Sequence, residues 1–274
     1  MNIFTKFIHA TSYVTIIPLA RLLPANAVSE DSLKGLAIYL PAVGAMIGAI
    51  LAGTCIILEK LNAPSLLLAT IITILWLTLT GGLHFDGLMD TADGIFSHRS
   101  KERMLEIMQD SRVGNFAVMV GVANFALKIA ALAALPSQML TTVLLFAPCL
   151  ARLAETFAIG AFPYVRSEGK GKVWHDTMRF PQDIFWAALV PIALFIGFTL
   201  ASKGELLLPI GLLFATACSI GLISSAYLNS RLGGHTGDTY GAVVELTETI
   251  TLTIIALAKG TGFALLMLNV FPSI

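Results

Sequence analysis

Charge is what this chain has least of: Asp, Glu, Lys and Arg make up 12% of its 274 residues, where a soluble domain carries roughly 25%. That scarcity excludes an ordinary soluble surface. Net charge is missing as well, since 17 basic residues cancel 17 acidic ones, so bulk electrostatics give no case for a nucleic-acid partner. Cysteine is nearly absent. Cys55, Cys149 and Cys218 each stand alone inside apolar runs, far from any disulfide or zinc spacing, and read as core filler. No tandem repeat, low-complexity tract or Pro- or Ser-rich linker divides the sequence, so residues 1–274 read as one domain. A signal peptide is not evident either: His9, Thr11, Ser12 and Thr15 interrupt the first apolar stretch and no convincing small-residue site follows.

What is present is apolar. Hydrophobic residues reach 56%, mean hydropathy is +0.83, and apolar runs recur at the roughly 20-residue length that crosses a bilayer. These runs predict about seven spans, at Leu36–Leu58, Ser65–Leu83, Asn115–Leu135, Leu140–Phe162, Asp183–Ser202, Leu206–Leu228 and Thr249–Leu268. Phe7–Ala20 is apolar but short and reads as an interfacial or re-entrant helix. The expected fold is all-α, a polytopic transmembrane bundle.

The connections alternate between brief turns and long polar loops at His84–Gly114, Pro163–Gln182 and Asn229–Gly241. Two spans and a short turn separate each pair of long loops, so parity puts all three on one side. Arg99, Lys101, Arg103 and Arg112 lie in the first, Arg166, Lys170, Lys172 and Arg179 in the second, and Arg231 in the third. By the positive-inside rule that side is cytoplasmic.

The first long loop carries the main chemical signal. Asp86, Asp90 and Asp93 are spaced i, i+4, i+7 with no basic residue between them, which on a helix aligns three carboxylates along one stripe. Such a stripe calls for a hard divalent cation, and magnesium typically combines few protein carboxylates with substrate phosphates. Glu106 and Asp110 form a second acidic pair beside Arg99, Arg103 and Arg112, whose guanidinium forks match phosphate. In the second loop Arg166 lies among aromatic residues and glycines, without a P-loop pattern. The third groups His235 and Asp238 around glycines, with Glu245 and Glu248 expected at the edge of the last span. Inside the spans Arg152 and Glu155 read either as an i, i+3 ion pair or as substrate contacts from the fourth span, and Lys128 in the third span carries the same two readings.

Taken together, Gly81–Gly94, Glu106–Gly114, Phe162–Arg166 and Gly233–Asp238, with Gly241 and Glu245 following, resemble the cobalamin synthase family, the adenosylcobinamide-GDP ribazoletransferases. The segments occur in the family's order over most of the chain. Gln109 stands where the family usually has Lys, and Ser12–Pro18 replaces a Phe-Leu-Thr-Arg-Ile-Pro-like stretch.

The resemblance implies a multi-pass transferase of the bacterial inner membrane. A hydroxyl of α-ribazole or its 5′-phosphate would displace GMP from adenosylcobinamide-GDP, with Mg2+ as cofactor; it leaves room for a homo-oligomer. Asp86, Asp90 and Asp93 are then the expected metal ligands. Glu106, Asp110, His235, Asp238 and Glu245 are the candidate second-metal or acid-base residues, and Arg99, Arg103, Arg112 and Arg166 the phosphate contacts. Two other readings remain open on sequence: a magnesium-dependent phosphotransferase or prenyltransferase of the CDP-alcohol type, and a cation transporter, whose acids would lie mid-span.

Overall fold

The computed structural model describes residues 3–23 and 34–258. Among these the regular structure is helical: α1 (Ile3–Val14), α2 (Leu40–Lys60), α3 (Ser65–Leu79), α4 (Leu83–Phe96), α5 (Lys101–Ile107), α6 (Asn115–Ala134), α7 (Ser137–Ala161), α8 (Lys170–Thr177), α9 (Gln182–Ala201), α10 (Leu207–Leu232) and α11 (Gly237–Ala258). Six helices are long and apolar enough to cross a membrane, namely α2 with its 3-10 lead-in, α6, α7, α9, α10 and α11, or seven if α3 and α4 form one broken span. The chain is a multi-pass membrane protein by this measure, and the expected all-α bundle is present.

The helix α7 is the central post and is buried over most of its length. Helix α2 lies along it, with Gly44 and Gly48 turned toward the contact. A Cβ at either position would run into the backbone carbonyls of Pro148 and Leu145, so the helices approach as closely as small residues one turn apart permit. Outward faces of α3, α6, α9 and α10 expose Leu67, Ile74, Met119, Val122, Trp186, Ile196 and Ile223, the apolar belt that a lipid-facing surface requires.

Three expectations are corrected. The first long loop is largely helical: glycines 81 and 82, at φ of 59° and 73°, end α3, and α4 turns away from it by 89°. The amphipathic α4 therefore lies close to a right angle to α3. Secondly, the last helix begins at Gly237, well before Thr249. Thr236 and Thr239 start it by exchanging side-chain and backbone hydrogen bonds, at 2.7 Å and 3.3 Å, in the manner of a capping box. Asp238 among its glycines reads as loop, and Glu245 and Glu248 as the edge of the span. The rest of the expected last span, 259–268, lies outside the described residues. Thirdly, Cys55 and Cys149 are buried as expected, but Cys218 is exposed on the outer face of α10. The N-terminal α1 has 12 residues, short of a span, as its sequence suggested.

Candidate active site

Two glycines set the position of the site. Gly87 on α4 faces Asp238 of α11 so closely that a Cβ would stand 2.6 Å from the Asp238 carbonyl oxygen, and one on Gly241 would come within 2.9 Å of the His84 backbone. Helices α4 and α11 thus touch backbone to backbone, which carries the aspartates of the first polar segment up to Asp238. The second polar segment joins by a two-bond bridge: Val165 N–H donates to the His235 carbonyl at 3.0 Å and His235 N–H to the Pro163 carbonyl at 2.7 Å. This clamp swings Arg166 onto Asp238, with Nη2 2.7 Å from Oδ2. The three long polar segments therefore meet at one end of the bundle, as parity required.

Between them lies a cavity of about 500 Å³. Asp86, Asp238, Arg166, Lys170 and Gln109 line it together with His84, Glu155 and the rings of Tyr13, Tyr164, Trp174 and Tyr240. Beside it is Asp90. Burial first, then the carboxylates of Asp86, Asp238 and Asp93, push Asp90 up to about 7, with Arg166 pulling the other way. Such accumulated anionic charge, met by one guanidinium, is chemically suited to a hard cation. Among the described residues no three His, Cys, Asp or Glu side chains converge as a ready cage. Magnesium does not need one, since it binds one or two carboxylates and completes its shell with water and substrate phosphate.

Asp93 leaves the expected stripe for a structural task. Its two carboxylate oxygens accept the N–H groups of Gly114 and Ala117, at 2.7 Å and 2.8 Å, capping the N-terminus of α6. Glu106 and Asp110 are exposed and paired with their neighbours, Glu106 with Arg103 at 2.6 Å and Asp110 with Arg112 at 2.6 Å. Hydrogen bonds from Arg112 hold Asp110 down to about 2. These four residues and Arg99 do not line the cavity.

His235 stands behind the cavity wall. It is fully buried, its ring nitrogens 3.0 Å from Thr239 Oγ1 and 3.2 Å from the Ser225 carbonyl, its ring stacked on Tyr240. Burial lowers it to about 4, which marks a neutral structural histidine. Glu245 lies inside the membrane region. It accepts from Asn124 Nδ2 at 2.9 Å and Lys128 Nζ at 2.8 Å, while Lys128 also reaches Glu248 at 2.8 Å. Arg152 pairs with Glu248, at 2.8 Å, instead of Glu155.

The pairing of two cavity residues is not legible in the sequence. His84 Nε2 and Glu155 Oε1 are 3.7 Å apart and both side chains are almost completely buried. The sequence leaves Glu155 between an ion pair with Arg152 and a substrate contact, and gives His84, inside the main motif, no role of its own. Only the position of α7 against α4 joins them.

An α-helical multi-pass membrane protein with an acid- and arginine-lined cavity at one end of its bundle defines a class, the polytopic membrane enzymes acting on phosphate-bearing substrates. Within it, the chain matches the family model for cobalamin-5-phosphate synthase over residues 6–256, and it belongs to that family. It is 38% identical over 251 residues to the adenosylcobinamide-GDP ribazoletransferase of Thermosynechococcus vestitus, covering 92% of this chain and 96% of that one. The enzyme of the same name from Desulforamulus reducens is 37% identical over 261 residues, 93% and 98% of the two chains; that from Roseiflexus is 34% identical over 259 residues, 93% and 90%. No solved structure gives a significant match.

Proposed function

We propose that this protein transfers the adenosylcobinamide phosphate of adenosylcobinamide-GDP to a hydroxyl of α-ribazole or of its 5′-phosphate, and that the cavity between α4, α11 and the 163–171 segment is where this happens. The convergence of Asp86, Asp90, Asp238 and Arg166 beside that cavity carries the reading, together with membership of the family. In the reaction the hydroxyl oxygen forms a bond to the phosphorus bearing the cobinamide. The bridging P–O bond breaks, its electron pair leaves with GMP, and the hydroxyl proton passes to a base. No covalent intermediate on the protein is needed. The barrier lies in charge on the bridging and leaving oxygens, so positioning and electrostatic stabilisation are the protein's contribution.

Arg166 and Lys170 are suited to the diphosphate, Arg166 as a planar fork held in place by Asp238. Magnesium belongs to this proposal: Asp86 and Asp90 would hold it with diphosphate oxygens, and there it would neutralise charge on the leaving GMP. The side bearing the site is the cytoplasmic face of a bacterial inner membrane in this reading, supported by the basic residues concentrated in the polar segments.

Purified protein in liposomes, supplied with adenosylcobinamide-GDP, α-ribazole and Mg2+, should release GMP in step with corrinoid product, and chelation should stop it. No GMP release from well-folded protein would sink the assignment. A transporter would need free acids along a path, whereas Glu245 and Glu248 deep in α11 are neutralised by Lys128 and Arg152.

A further inference from the structure

The inner end of the cavity holds polar groups that the phosphate chemistry does not use. Glu155 is 3% exposed, and its Oε2 has no hydrogen-bond partner. Both ring nitrogens of His84, the Tyr240 hydroxyl and the Trp174 indole N–H are likewise buried and unpartnered. All four residues line the cavity. Arg152, one turn away on the same helix, is bound to Glu248. Glu155 Oε1 lies 3.7 Å from His84 Nε2, beyond hydrogen-bond reach, so this buried carboxylate lacks a full set of donors and is costly to keep idle; it lines the cavity where a ligand would sit.

Resting on the transfer reading, we propose that this inner end is the seat of the guanine ring of the nucleotide donor, with Glu155 accepting the N–H groups of its Watson–Crick edge. Guanine presents N1–H and the exocyclic amine side by side, a pair of parallel donors that fits the two oxygens of one carboxylate. The other heterocycle in the reaction, the benzimidazole of α-ribazole, has no N–H once glycosylated, and a carboxylate would be left unpaired against it. Aromatic side chains border the cavity: Tyr13 packs on Trp174 at 4.9 Å between ring centroids, tilted by 57°, and Tyr164 on Tyr240 at 6.1 Å, tilted by 39°, and bases stack on the exposed faces of such rings. The spacing also suits a nucleotide. Asp90 lies six residues beyond His84 on α4, a rise of about 9 Å, comparable to the span from a base edge to its phosphates, and Asp86 and Asp238 lie on the way.

Binding of GDP, IDP and ADP, with Mg2+, to the full chain in nanodiscs tests the assignment without reference to turnover. IDP lacks only the exocyclic amine. The native protein should bind GDP at least ten-fold more tightly than IDP, and ADP more weakly than IDP. Glu155→Gln should narrow the GDP-to-IDP gap to about three-fold or less while Asp238→Asn leaves the gap in place. Equal affinity of native protein for GDP and IDP would overturn the proposal, and needs no variant to fold. So would a Glu155→Gln protein that keeps the full preference, or one that loses only α-ribazole binding, which would assign the subsite to the benzimidazole. Normal GMP release with no base preference removes the guanine seat alone; guanine preference without GMP release removes the transfer reading alone.

Discussion

Asp90 and Asp93 occupy one helix three residues apart, yet their surroundings give them different work. Asp90 sits among Asp86, Asp238 and Arg166, so Asp90→Asn should lower GMP release by about 10²-fold or more with little change in thermal stability. Asp93 caps α6, so Asp93→Ala should cost about 1 kcal/mol of stability, read from the unfolding midpoint in detergent. An unchanged midpoint would remove the cap. His235 gives a pH effect whose sign follows from its neutral burial. Its pKa falls from 6.5 to about 4 on folding, so the stability tied to the neutral ring is complete above pH 6.5 and is lost as pH falls toward 4. The full span is worth on the order of 3 kcal/mol. His235→Gln should flatten that part of the stability-against-pH curve; an equally steep curve would assign it to other groups.

Helix pairing decides where these side chains meet. The contact of α4 with α11 depends on Gly87 and Gly241, neither of which leaves room for a Cβ. Gly87→Ala should therefore separate Asp86 and Asp90 from Asp238, costing about 1–3 kcal/mol and most of the turnover, while the span helices keep their circular-dichroism signal. Full activity in that variant would mean the two helices do not need so close an approach. Inside the membrane region, α6, α7 and α11 are joined by Lys128, Glu245, Glu248 and Arg152. Lys128→Met leaves buried carboxylates short of a cation and should destabilise by about 3–5 kcal/mol. Combining it with Glu245→Gln should recover part of that loss, and no recovery would show the charges to be uncoupled.

For the whole molecule, the parity of long and short connections becomes a physical end of the bundle where α4, the 163–171 segment and the start of α11 close on one cavity. Sidedness can then be tested at a single point. Ser167 is exposed in the clamp segment, and Ser167→Cys, in a chain whose native cysteines are replaced, should be labelled by an impermeant maleimide only when the cytoplasmic face is accessible. Labelling of intact cells from outside would invert the topology and with it the position of the site.

The apolar run length settled the fold class from sequence alone, because a bilayer demands helices of fixed length whatever their packing. The aspartate motif and the order of the polar segments likewise disclosed the family and the end of the bundle where those segments converge. The last helix starts earlier than its sequence suggests: Asp238 reads as loop, and Glu245 and Glu248 as the edge of the span, until Arg166, Lys128 and Arg152 are set against them, partners 70 residues or more away in the chain. The opening stripe changed in the same way. Spacing placed Asp86, Asp90 and Asp93 on one helix, but only the packing of α4 against α6 and α11 could take Asp93 into a cap and put Asp238 beside the other two. Pairing across helices is a property of the folded bundle, and a carboxylate's role follows from its partner.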